Sequence, residues 1–176
     1  MIYVIRHGQT DLNKERKMQG RMGLPLNEYG IEQAQRLRDE LKDINFDFVF
    51  SSPQERAVQT AEIVTGGHKA TIDERLDVYD LGEADGVPIS EMKMSGPLPD
   101  TTVYKGIEDP NCFVKRIFSF MNELENHYRK REMNILISGH RCTTGCIGAF
   151  FEGMPADGNI LKLSSDTGYY KSYHFK

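Results

Sequence analysis

The chain has 176 residues, of which 39% are hydrophobic and 27% charged, the size and make-up of one globular domain with a sizeable core. Its net charge of −4 leaves no general basic face for neutralising a nucleic-acid backbone, so any phosphate site has to be local. No apolar run approaches a membrane span, the N-terminus lacks the basic and apolar regions of a signal peptide, and three cysteines point to reduced thiols; a cytoplasmic location is expected.

Ile2-Tyr3-Val4-Ile5 is a short apolar, β-rich run that predicts a buried strand. It leads straight into Arg6-His7-Gly8, and the carboxyl ends of strands are where open α/β sheets build their sites. Arg6 offers a planar fork that grips phosphate oxygens, His7 a nucleophile or proton carrier, and Gly8 a sharp turn. Residues 11–25 are polar and basic without a period, which predicts a loop able to close over the site. In it Asn13 could donate its amide to a phosphate oxygen, and the backbone at Gln19-Gly20 is free to approach a ligand.

Asn27 reads as the cap of a helix whose buried stripe is Ile31, Ala34, Leu37, Leu41 and Ile44. Residues 46–50 predict a second strand. Ser52-Pro53-Gln54-Glu55 then has the pattern of a helix start, with Ser52 as cap and Gly66-Gly67 as stop. Arg56 falls in that helix's first turn, where free N–H groups already favour an anion. Residues 69–72 predict a short strand. Residues 73–86 are acidic, and 82–110 are rich in Gly and Pro, the pattern of a lid or substrate-selecting segment with a short helix near 89–94.

Asp109-Pro110 opens a long helix with Phe113, Ile117, Phe120, Met121, Leu124 and Tyr128 on one face. Residues 134–138 predict another central strand, which delivers Gly139-His140. A further helix is expected to begin near Thr143-Thr144, and 160–163 with 169–175 read as a closing hairpin. Cys142 and Cys146 lie one helical turn apart; two soft ligands without a second cluster read as small buried side chains rather than a metal site. Alternating helices and strands predict a layered α/β domain with a largely parallel sheet, and both special histidines then fall at strand carboxyl ends.

Arg6-His7-Gly8-Gln9-Thr10 with Asn13, Ser52-Pro53 with Arg56-Ala57 and Thr60-Ala61, and Gly139-His140 after a buried strand together resemble the histidine phosphatase superfamily, the phosphoglycerate mutase-like group. Leu26, Gly30 and Gln33-Ala34 match another part of its pattern, so the resemblance runs the length of the chain. It implies a single domain over residues 1–176, a three-layer αβα sandwich with a largely parallel sheet. It also implies a phosphoryl transfer needing no metal or cofactor, acting on a phosphorylated small molecule or phosphoprotein. His7 would carry a transient phosphohistidine while Arg6, Arg56 and His140 surround the phosphoryl oxygens, and Asn13, Gln19 and Gly20 would touch the phosphate or the rim.

The chain departs from that pattern at Val78, where the family usually has a catalytic Glu. Asp80 is the best substitute, since residues two apart in an extended segment point to one side; Asp77 would point the other way and Glu83 could reach in. With no acid present, leaving groups that need no proton, aryl or acyl phosphates, would be preferred. Arg141 stands where many relatives have Gly, either adding a cation to the mouth of the site or facing solvent. A mutase sharing the same chemistry, and a weakly active protein that binds phosphorylated ligands, are the alternative readings.

Overall fold

A computed structural model describes residues 1–176. Its centre is a five-stranded sheet in the order β3-β2-β6-β1-β7. Strand β1 (Ile2–Arg6) pairs in parallel with β6 (Ile135–Gly139), which pairs in parallel with β2 (Phe48–Ser51), which in turn carries β3 (Thr71–Ile72). Only β7 (Tyr170–Tyr173) runs antiparallel, on the outer edge of β1. Helices α2 (Glu28–Glu40) and α3 (Glu55–Val64) cover one face; α4 (Pro110–Tyr128) and α5 (Arg141–Glu152) cover the other. This is the expected three-layer αβα sandwich. No helix is long and apolar enough to cross a membrane.

The two cores follow from side-chain alternation along the central strands. Ile2, Val4, Ile135 and Ile137 point into a core completed by Phe113, Ile117, Phe120 and Met121 of α4 and Ile147 of α5. Their neighbours Ile5 and Leu136 point the opposite way, among Leu37 of α2 and Val64 of α3. β6 is buried at every residue, as a central parallel strand with helices on both faces has to be.

Several local expectations are corrected. Ile31 is exposed; the buried face of α2 is Gly30, Gln33, Ala34 and Leu37. Helix α3 begins at Glu55 with Gln54 at its cap and no side-chain cap bond; the Ser52 hydroxyl lies two residues earlier, accepting from the Gln54 amide (3.3 Å) and contacting His140. Helix α5 begins at Arg141, directly after His140, two residues before the predicted start. Residues Ile160–Leu163 form a 3-10 turn against α5, so there is no closing hairpin: β7 finds its partner in β1. The short helix near residue 89 is a single turn, Ile89–Glu91, and two further strands, β4 (Met94–Ser95) and β5 (Leu98–Pro99), form a small hairpin after it.

Two glycines fix the approach of α2 to the tip of β1. A Cβ on Gly30 would lie 2.1 Å from the Gln9 carbonyl oxygen, and one on Gly8 would lie 2.4 Å from the Gly30 carbonyl oxygen. Both obstacles are backbone, which cannot rotate aside. Gly30→Ala is expected to cost about 1–3 kcal/mol through overpacking, read as a lower midpoint in chemical denaturation. An unchanged midpoint would show that the two backbones separate freely.

Candidate active site

Three adjacent strands of the sheet end at one place. β1 delivers His7, β6 delivers His140 and β2 delivers Ser52, and parallel pairing holds the ends level: the His7 amide donates to the Gly139 carbonyl (3.0 Å) and the Ser52 amide to the Ser138 carbonyl (3.1 Å). The two imidazoles face each other with ring centres 5.2 Å apart. Arg6, His7, Asn13, Gln19, His140 and Arg141 share the wall of one cavity of about 510 Å³.

Each member is set by a specific neighbour. The His7 Nδ1 lies 2.7 Å from the Gly8 carbonyl oxygen, which can only accept, so the proton sits on Nδ1 and the lone pair on Nε2. Gly8 is tied to α3 by its amide donating to the Thr60 hydroxyl (3.1 Å), and Gln9 to α2 by its amide donating to Gln33 Oε1 (2.8 Å). The His140 Nε2 sits 2.7 Å from the Ser52 hydroxyl, while its Nδ1 is buried without a partner. Ser52, read from sequence as a helix cap, is thus a site residue that the sequence pattern alone disguised.

Asn13 and Gln19 use their oxygens internally. The Thr10 amide donates to Asn13 Oδ1 (3.0 Å) in the capping box of the four-residue helix α1 (Asp11–Lys14), and the Thr10 hydroxyl donates to Gln19 Oε1 (2.9 Å). The amide nitrogens, the donors, are left for the cavity. Residues 11–25 dock on the Gly- and Pro-rich segment: the Met18 amide donates to the Val87 carbonyl, and Ile89, Pro97 and Leu98 of that segment join the cavity wall.

Arg56 stands just behind the wall. It is 1% exposed, its Nη2 donates to the Gly20 carbonyl (2.9 Å), and a Cβ on Gly23 would fall 1.7 Å from its Nη1, so loop 20–23 lies directly on the guanidinium. Gly20 is not on the wall; its amide donates to Asp85 Oδ1 and its carbonyl holds Arg56. The Nε atoms of Arg6 and Arg56 have no partner, nor has His140 Nδ1. Unmet buried donors each cost about 1–3 kcal/mol, and two on the cavity wall with a third just behind it suit an acceptor-rich anion.

The expected acid is not at the wall. Asp80 Oδ1 accepts from the Gly82 amide (3.0 Å) and Oδ2 lies 3.5 Å from Arg21 Nη1, so the carboxylate closes a turn instead of facing the cavity. Val78 does line the cavity, and its carbonyl accepts from Arg116 Nη2 (3.0 Å). Arg116 also donates to the Arg75 and Asp77 carbonyls and clamps Glu108. It braces this whole segment on α4, a role no spacing in the sequence announces. Nowhere do three or more His, Cys, Asp or Glu side chains group in a way that could hold a metal ion.

Burial lowers the His7 pKa well below its ordinary value, and Arg56 and Arg6 add to the shift; burial followed by Arg56 and His7 does the same to His140. Burial also brings Arg6 and Arg56 down to about 10. Both imidazoles are therefore neutral at pH 7. Below about pH 6.5 the unfolded chain takes up protons at these two positions that the folded chain refuses, so stability falls as pH falls. The slope approaches about 1.4 kcal/mol per pH unit for each histidine. Melting temperatures are expected to drop between pH 7 and pH 5, with a shallower drop in His7→Gln; equal slopes would show that His7 titrates normally.

Known proteins place this geometry. PhoE, a phosphatase of Bacillus subtilis, is 30% identical over 140 residues, 78% of this chain and 71% of its own. Fructose-2,6-bisphosphatase TIGAR of Xenopus laevis is 33% identical over 135 residues, 69% of this chain and 49% of its own. The crystal structure of the alpha-ribazole phosphatase of Shigella flexneri superposes with a TM-score of 0.77 at 25% identity, over 96% of this chain and 87% of that one. The profile of the histidine phosphatase superfamily (branch 1) matches residues 2–168, and the chain belongs to that family of phosphatases and mutase-like proteins.

Proposed function

We infer that the protein is a phosphomonoesterase that transfers a phosphoryl group first to His7 and then to water. The observation that carries this reading is the hydrogen bond between His7 Nδ1 and the Gly8 carbonyl, which leaves a neutral imidazole with its lone pair on Nε2 at the wall of the cavity. Splitting the transfer into two displacements needs such a nucleophile. Arg6, Arg56 and the His140 Nδ1–H supply the unmet donors that take the equatorial oxygens as charge spreads over them. In this tautomer Ser52 donates to His140 Nε2, so that Nδ1 keeps its proton for the substrate. Asn13 and Gln19 add amide donors at the rim, and Gly20 acts by positioning Arg56 rather than by touching phosphate.

The substrate in this reading is a small phosphorylated molecule, sized to the cavity of about 510 Å³. The test is rapid acid-free quenching during turnover of an aryl phosphate, with a chelator present, followed by mass spectrometry of the intact chain and its peptides. A phosphoryl group on the peptide holding His7 is the expected result. Turnover with no covalent species, or loss of turnover on chelation, would overturn the two-step, metal-independent mechanism.

A further inference from the structure

No residue lining the cavity is an aspartate or glutamate. The carboxylates nearby are occupied elsewhere. Asp77 accepts from Gln54 Nε2 (2.8 Å) and the Val78 amide (2.7 Å) and pairs with Arg21; Asp85 accepts from the Gly20 and Met22 amides. Glu83 accepts from the Lys105 amide, and both oxygens of Glu108 are held by Arg116. The His140 Nδ1–H is a hydrogen-bond donor on a neutral imidazole rather than a carboxylic acid, and the other ionisable side chains on the wall are poorly placed to give up a proton. The Tyr79 hydroxyl donates to the Glu108 carbonyl (2.5 Å), burial raises the Cys142 thiol above its ordinary value and so makes it a weaker acid, and Lys17 is paired with Glu15. The rest of the wall carries apolar side chains, among them Leu81, Ile89, Leu98, Phe113, Val78 and Ile160, interspersed with Asn111 and Asn159.

We propose that the substrates are aryl phosphates, phosphate esters whose leaving oxygen departs as an anion without a proton and whose apolar ring packs on the apolar side chains of the cavity wall. The proposal rests on the phosphatase reading above and narrows its substrate class. In the first step the His7 Nε2 lone pair forms the N–P bond, the P–O bond to the ring breaks, and its electron pair leaves as the aryl oxide. In the second step water attacks phosphorus and the N–P electron pair returns to Nε2; one water proton stays on the new P–O–H and the other passes to a phosphate oxygen or to solvent. Neither step calls on a general acid. A phenol has a pKa near that of tyrosine, about 10, whereas an aliphatic alcohol is a far weaker acid, closer to water, so only the alkyl esters need assistance. General acid catalysis is worth about 10²–10⁴-fold, and that factor is what an alkyl phosphate forfeits here.

The experiment uses the unmodified protein with chelator present, measuring phosphate release from 4-nitrophenyl, phenyl and 1-naphthyl phosphates against O-phosphoserine and glycerol phosphate, with His7→Ala as the blank. Expected are a kcat/KM at least about 10²-fold higher for the aryl esters, and a rate among them that falls as the phenol becomes more basic. KM for 1-naphthyl phosphate is expected at or below that for phenyl phosphate. His7-dependent release from phosphoserine or glycerol phosphate within tenfold of phenyl phosphate would overturn the proposal while leaving the phosphatase reading intact. A higher KM for the naphthyl ester would remove the apolar contact from it. Absence of His7-dependent release from any ester would overturn both.

Discussion

Replacing His7 by alanine is expected to lower aryl phosphate hydrolysis by at least about 10⁴-fold in kcat, with little change in the affinity for inorganic phosphate. The asymmetry comes from how the site divides its labour. His7 supplies the only lone pair whose position is fixed by a hydrogen bond on its far side, the Gly8 carbonyl at 2.7 Å. Of the proposed anion donors, Arg6 precedes His7 at the end of β1, Arg56 belongs to α3 and His140 follows β6; no hydrogen bond holds any of them through the His7 ring, so they stay in place when the imidazole is cut away. Titration calorimetry with inorganic phosphate and steady-state kinetics on the same preparations separate the two effects. A His7→Ala variant that still turns over within tenfold of the parent would remove His7 as nucleophile. Negligible turnover in the unmodified protein, with phosphate bound normally, would instead favour a phospholigand-binding role.

Arg56→Met is expected to reduce turnover by about 10²–10³-fold, the cost of one well-placed oxyanion donor, while leaving stability nearly unchanged. Burial drops the Arg56 pKa to about 10, a penalty of about 3 kcal/mol on its charged form relative to the unfolded chain. Against it stands one hydrogen bond to the Gly20 carbonyl, whose loss leaves a buried acceptor unmet at about 1–3 kcal/mol. The two effects oppose each other, and the methionine keeps most of the apolar packing beneath loop 20–23. The denaturation midpoint is therefore expected to shift by no more than about 1 kcal/mol. A variant that unfolds would show that Arg56 is a structural post; one that keeps full activity would remove it from the site. In the unmodified protein the same reasoning predicts that inorganic phosphate raises the melting temperature, because the bound anion meets the donors that folding left unpaired.

The chain order of elements was readable because local physics decides it. Alternating apolar faces on 2–6 and 135–139, the Asn27 and Asp109 caps, and Pro110 at the first turn of α4 specify strands and helices with no help from distant residues. That periodicity placed His7 and His140 at strand ends, and parallel pairing of β1 with β6 then brought them side by side. Readings failed where a distant partner outbids a local one. Ser52 carries the pattern of a helix cap, yet Gln54 takes the cap position and the Ser52 hydroxyl makes its shorter contact (2.7 Å) with His140, 88 positions away. Ile31 carries the helical spacing of a core residue, yet Gly30 must meet the backbone at Gln9, and that close approach turns Ile31 outward.

Composition, periodicity and the Arg6-His7-Gly8 tip by themselves determined a layered α/β domain with a candidate anion site at the carboxyl ends of its strands. Only the tertiary structure decided what surrounds that site. Spacing made Asp80 the leading candidate for the acid, but the Arg21 ion pair and the Gly82 amide pull its carboxylate into a turn. The family resemblance implied Gly20 as a contact of the phosphate or the rim, but its carbonyl accepts from Arg56. In both cases the competing partner comes from a separate loop or helix, and an electrostatic or hydrogen-bond choice between partners far apart in sequence exists only once the chain has closed on itself.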